Sequence, residues 1–196
     1  KQVPWDEAVR VPFLMRFPQI HDEGRTVSTP INTPDILPSL LSLCGITIPD
    51  SIEGEDLSAL FKGEFAGDDR AKLFMSVSPF VDEDFNAYRG LRTSRYSYVR
   101  DSDGPWLLYD NRADPYQMDN LIGRPEYAEL QASLETKLQE QLDRNGDSLP
   151  SAREARAHWG YAVDERGEAH YRGEFRVQSP GKEGGQLCRW SPNAEK

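Results

Sequence analysis

Two cysteines in 196 residues, Cys44 and Cys188, are too few and too far apart for a disulfide framework, and they lack the paired spacing of a zinc site. No apolar run approaches the roughly 18 residues of a membrane helix. The longest, around Ile36 to Cys44, is broken by Pro38 and Ser39, so no membrane partner is expected. Positive charge is also scarce: 23 Lys and Arg stand against 33 Asp and Glu, a formal net charge of −10 and the wrong sign for a nucleic-acid backbone. The common catalytic signatures are missing as well, with no Gly-rich phosphate loop, HExxH, GxSxG or CxxC. Three histidines, His21, His158 and His170, are scattered among loops and the tail and read as solvated or structural. Only 37% of the residues are hydrophobic, a low share for a globular domain, so part of the chain is expected to be loop or tail. The first residue is Lys, with neither an initiator Met nor an apolar leader, and the chain is expected to be a piece of a longer protein.

What is present falls into three segments. Residues 1–66 open with Val11 to Phe17, a nearly continuous apolar run bounded by Pro12 and Pro18, the pattern of a strand buried on both faces of a mainly parallel sheet. Next, Ile36, Leu37, Leu40, Leu41 and Cys44 mark one helical face closed by Gly45, with Asp35 favoured as the cap because Pro38 belongs in a first turn. Cys44 is expected to pack as a small buried residue. A short helix candidate, Asp56 to Phe61, follows in an acidic connector.

Residues 67–150 carry strand-like runs at Leu73 to Val77, at Tyr88 to Val99 with a break near Ser94, and at Trp106 to Tyr109. Their short spacing implies an antiparallel meander. Pro125 then opens a helix whose Tyr127, Leu130, Leu134, Leu138 and Leu142 form an apolar stripe ending at Asn145-Gly146, expected to cover one face of the meander. Residues 151–196 hold few large aliphatics and cannot build a core of their own. Their aromatics Trp159, Tyr161, Tyr171, Phe175 and Trp190 suggest a surface tail anchored in part to the body or to a second subunit, leaving a homo-oligomer open.

Four stretches, in order, resemble the C-terminal half of a formylglycine-dependent sulfatase of the alkaline phosphatase superfamily. Lys1-Gln-Val-Pro-Trp5-Asp6-Glu7-Ala-Val-Arg10-Val11-Pro12 resembles the family's lysine, aromatic-acidic pair and Arg-Val-Pro leading into a core strand. Asn32-Thr-Pro-Asp35-Ile-Leu-Pro38 through Gly45, followed by Pro49, Ile52-Glu-Gly54 and Leu57, resembles its Asp-x-x-Pro-Thr-Leu-Leu helix and sequel. Arg89-Gly90-Leu91-Arg92-Thr93 with Tyr96 and Tyr98 resembles the strand pair opening the C-terminal subdomain. Trp106-Leu-Leu-Tyr109-Asp110, Asp114-Pro115 and Asn120-Leu121 resemble its closing series.

The resemblance implies an α/β, alkaline phosphatase-like fold. This chain would supply the last core strand and helix (1–66), a small antiparallel sheet covered by a helix (67–150) and the tail (151–196). It also implies hydrolysis of sulfate esters, with those of carbohydrates as candidate substrates, by a formylglycine hydrate beside Ca²⁺ or Mg²⁺. Fixed cations suit that chemistry, because a sulfuryl group in transfer spreads negative charge over its outer oxygens. The family nucleophile lies in Cys/Ser-x-Pro-x-Arg, which neither Cys44 nor Cys188 fits, and Ser148-Leu-Pro150-Ser-Ala152 has Ala where the Arg belongs. Nucleophile, formylglycine and metal ligands are therefore expected outside this chain, in a missing N-terminal part of the catalytic domain.

Of the active-site residues only Lys1 is carried over, as the sulfate-contacting lysine. Arg89 and Arg92 are candidates for the rim of a pocket taking an anionic sulfated small molecule or glycan, with strand-edge charges as the plainer reading. Trp5, Asp6, Glu7 and Arg10 read as structural, the acidic pair fixing the loop by an ion pair with Arg10. Trp106 reads as a packed aromatic rather than a sugar platform. The alternatives are a phosphodiesterase or phosphonate hydrolase of the same superfamily, or a non-catalytic assembly module.

Overall fold

In a computed structural model the chain is described at residues 3–18, 20, 24–64, 70–76, 86–150, 152–160, 175–177 and 186–188. Three helices come first: α1 (Asp6–Val9), α2 (Thr33–Leu43) and α3 (Ser58–Lys62). Strands β1 (Lys72–Ser76), β2 (Tyr88–Arg92), β3 (Tyr96–Asp101) and β4 (Gly104–Asp110) follow. A single 3-10 turn (Pro125–Tyr127) then runs into α4 (Ala128–Asn145). Beyond it lie α5 (Ala152–Trp159) and a short antiparallel pair, β5 (Phe175–Val177) and β6 (Gln186–Cys188).

β1 to β4 form one antiparallel sheet in chain order, the meander that the short connections require. The register pairs Leu73 with Leu91, Leu91 with Tyr98 and Tyr98 with Leu108, so these four side chains line one face. α4 lies on that face, and its Leu134, Leu138 and Leu142 complete a buried cluster with Leu91, Tyr98, Leu108 and Leu121. Their spacing of four residues is what places them on one side of the helix. Gly146 ends α4 with a φ of 64°, a left-handed conformation that glycine adopts without penalty. The other face buries Tyr88, Val99, Leu107 and Tyr109, with Trp5, Phe74 and Trp106 packed against them.

α2 begins earlier than its sequence suggests. Asn32 is the cap, and Asp35 stands at the third helical position, its Oδ2 accepting the Asn32 backbone N–H at 2.8 Å. Pro38 consequently sits in the second turn, inside the helix, and removes the bond that the Pro34 carbonyl would have accepted. The backbone of Gly54 fills the space beside that carbonyl: a Cβ at position 54 would stand 1.9 Å from the Pro34 oxygen. Cys44 is exposed rather than buried, because α2 turns Asp35, Pro38, Ser39 and Leu43 inward and leaves the face of Leu37, Leu40 and Cys44 uncovered.

Val11 to Phe17 pairs with no strand among the described residues; Val11 and Leu14 are 77% and 95% exposed, while Met15 and Phe17 pack against Leu43, Leu57, Leu60 and Phe61. The outer face of α2 is likewise uncovered at Leu37 and Leu40. No helix of the described residues is long and apolar enough to cross a membrane.

Candidate functional site

The sequence points to the segment after Lys1, and the structure shows how that segment is seated. Lys1 itself lies outside the described residues. Asp6, the first residue of α1, is buried, and its carboxylate receives the Arg92 guanidinium side-on, with Nε at 3.1 Å from Oδ1 and Nη2 at 3.0 Å from Oδ2. Arg92, from the end of β2, also donates to the Thr93 carbonyl at 2.6 Å. The loop-fixing ion pair expected between the acidic pair and Arg10 is therefore made by Asp6 with Arg92, 86 residues away. Periodicity cannot reveal a partner so distant.

Two further contacts seat the same segment. The Asp6 backbone N–H donates to Gln117 Oε1 at 2.7 Å. The Trp5 indole N–H donates to the Tyr109 hydroxyl at 3.2 Å, and its ring stands edge-on to Trp106 with centroids 5.8 Å apart. Trp106 meets Tyr88 at 6.0 Å as well, the packed aromatic its sequence context implied. Gln117 escaped the sequence reading altogether. It lies in the turn after β4 and is buried, at 4% exposure, between exposed Tyr116 and Met118.

Arg89 and Arg92 stand three apart on one strand, and strand geometry sends them to opposite faces of the sheet. Arg89 is 4% exposed and grips Asp147, just beyond α4, with Nε at 2.5 Å and Nη2 at 3.0 Å, while its Nη1 donates to the carbonyls of Ser76 and Tyr88. Burial pushes the Asp147 carboxyl up, but the bonds from Arg89 and the Leu149 N–H hold it below its ordinary value. The two arginines are thus engaged by carboxylates of this chain on different faces. The pocket-rim expectation gains nothing from that placement.

A third polar knot ties the N-terminal helices to the sheet. Lys72, on β1, reaches Asp35 at 2.8 Å and Glu55 at 2.7 Å, while Asp35 Oδ1 accepts the Glu55 N–H at 3.0 Å. Asn32 Nδ2 bonds the Leu73 carbonyl from the same side. With Asp6, Asp35, Asp147 and Glu55 committed to Arg or Lys, no three His, Cys, Asp or Glu side chains come together as a metal cage among the described residues. Among the described residues none forms a Ca²⁺ or Mg²⁺ site. His158 is exposed on α5. Of the tail aromatics, Tyr161, Tyr171 and Trp190 lie outside the described residues.

An antiparallel sheet backed by one long helix, and tied by ion pairs to α1 and α2, is the C-terminal part of an alkaline phosphatase-like sulfatase fold. A solved 2-O GAG sulfatase superimposes with a TM-score of 0.51 at 27% identity, over 60% of this chain and 26% of that one. Residues 1–144 match the family model described as N-sulphoglucosamine sulphohydrolase, C-terminal, and the chain belongs to that sulfatase family. Among its relatives are an ulvan-active sulfatase of Formosa agariphila, 52% identical over 77% of this chain and 30% of the relative, and an N-acetylglucosamine-6-O-sulfatase of Bacteroides thetaiotaomicron, 28% identical over 79% and 28%. The matched part of the chain thus spans about three tenths of the length of these relatives.

Proposed function

We infer that this chain is the C-terminal portion of a sulfatase that hydrolyses sulfate esters of a polysaccharide, with ulvan the first substrate to test. The 52% identity to an ulvan-active sulfatase carries this reading. The exposed Val11, Phe13 and Leu14 support the portion assignment, since a contiguous exposed apolar patch marks a surface that a neighbour covers. In this reading the remainder of the enzyme supplies the formylglycine nucleophile and the divalent cation. It also packs on the exposed run and on the outer face of α2.

Lys1 is then the chain's direct contribution to the reaction. Its ammonium neutralises charge growing on the sulfate oxygens as the ester bond breaks. Arg92 and Arg89 act one step away, by holding the frame.

The test compares the complete enzyme with residues 1–196 alone, measuring inorganic sulfate released from ulvan oligosaccharides. The complete enzyme is expected to release sulfate and the isolated chain none. Turnover by the isolated chain would overturn the division of labour. A complete enzyme inert on ulvan and on every other sulfated polysaccharide would overturn the substrate class.

A further inference from the structure

α1 has four residues, too few for a helix to hold itself together, so its place on the sheet is set from outside. Three separate parts of the C-terminal sheet do this: β4 through Trp106 and Tyr109 on Trp5, β2 through Arg92 on the Asp6 carboxylate, and the loop after β4 through Gln117 on the Asp6 N–H. Gln117 is itself tightly determined. Its φ is 54°, a left-handed conformation that non-glycine residues seldom adopt and that persists only where the surroundings over-determine it.

Its amide donates to Asn111 Oδ1 at 2.7 Å and to Ser97 Oγ at 3.2 Å, and Asn111 Nδ2 in turn donates to Ser97 Oγ at 3.0 Å. Ser97 and Thr93, beside this network, are each 2% exposed. Apolar side chains could fill such a space without the desolvation cost of buried amides and charges. What a satisfied polar network adds over apolar filling is a single, stiff position.

We propose that Gln117, Asp6 and Arg92 form a positioning bracket through which the C-terminal sheet sets the place of α1, and on which catalysis by Lys1, a few residues upstream in the chain, depends. The proposal rests on the reading that Lys1 contacts sulfate. Lys1 stands five residues before Asp6 in the chain. A misplacement of about 1 Å at a group facing the transition state costs on the order of a hundredfold in rate. Gln117 is thus a positioning residue, and its effect on catalysis passes through Lys1.

A double-mutant cycle in the complete enzyme tests this, with 4-nitrophenyl sulfate as the substrate and the thermal midpoint recorded for each variant. Gln117→Met keeps the side-chain length and removes both the carbonyl acceptor and the NH2 donor of the amide. It is expected to lower kcat at least tenfold with little change in KM, while in a Lys1→Ala background the same substitution adds less than threefold. Arg92→Lys, which keeps the charge and loses the fork, is measured the same way, so that a Gln117 variant that fails to fold does not end the test. If Lys1→Ala is costly and both bracket variants are silent, or multiply with it undiminished, the bracket is merely structural and the proposal falls. If Lys1→Ala itself changes kcat/KM less than threefold, the sulfate-contact reading fails first and takes the bracket with it.

Discussion

Arginine in this chain works as a fork. Arg89 on Asp147, Arg92 on Asp6 and Arg95 on Asp110 each bring Nε and Nη2 side-on to one carboxylate, a geometry that lysine cannot reproduce. Arg95 and the backbone N–H groups of Arg112 and Ala113 hold the Asp110 carboxyl below its ordinary value, against a smaller upward push from burial. Asp147 is also lowered. A carboxylate whose folded pKa lies below its unfolded value, about 3.9, stabilises the fold fully above that value and ceases to do so as pH falls through the folded pKa. Urea unfolding is therefore expected to give a stability insensitive to these two groups above about pH 5 and falling below about pH 4, with Asp110→Asn removing part of the fall. Stability that rises below pH 4, or an acid limb that Asp110→Asn leaves untouched, would show that the forks do not govern acid sensitivity.

At the scale of elements, the helix–sheet pair and the existence of α2 and α3 were legible, while α1 and the start of α2 were not. The leucine stripe of α4 appeared in sequence because each of its positions faces the same sheet, and Leu134, at 3% exposure, lies at its middle. Leu134→Ala is expected to cost about 2–5 kcal/mol by chemical denaturation, as a truncation in a packed core, and an effect under about 0.5 kcal/mol would place the residue on the surface. The start of α2 was misread because Pro38 suggested a first turn, whereas the gap it leaves in the helix is filled from outside by Gly54. Gly54→Ala is accordingly expected to destabilise by about 1–3 kcal/mol, since the clash is with the Pro34 backbone oxygen and no side chain can rotate out of the way. Equal melting of the two proteins would mean that the loop at 52–55 shifts freely.

For the whole molecule, burial is lopsided. The sheet buries a cluster on each face, one of them with α4, and Met75, Tyr116 and Met118 are exposed, while Val11, Leu14, Leu37, Leu40 and Ile46 present apolar surface at the N-terminal end. Leu14→Asp separates what the chain needs from what the complete enzyme needs. In residues 1–196 alone, where Leu14 is 95% exposed, it is expected to change stability by no more than about 0.5 kcal/mol. In the complete enzyme, an unpaired charge in a covered strand is expected to abolish folded, soluble protein, read by gel filtration. Normal yield of the complete variant would show that the run stays uncovered there.

Local pattern by itself determined the elements of the C-terminal half. Short strand-like runs set the strands, a four-residue leucine spacing set α4, and Pro125 and Gly146 set its limits, because these signals depend only on residues near in sequence. The order of four short motifs determined the family. Tertiary structure alone decided which carboxylate each arginine meets and that Gln117 is buried. It also decided that Asp6 answers to Arg92 across 86 residues rather than to Arg10 beside it. Ion pairs and amide networks have no period, and any of the chain's 33 acidic residues could in principle face a given arginine, so the choice is made only when the sheet brings two distant segments within 3 Å of each other.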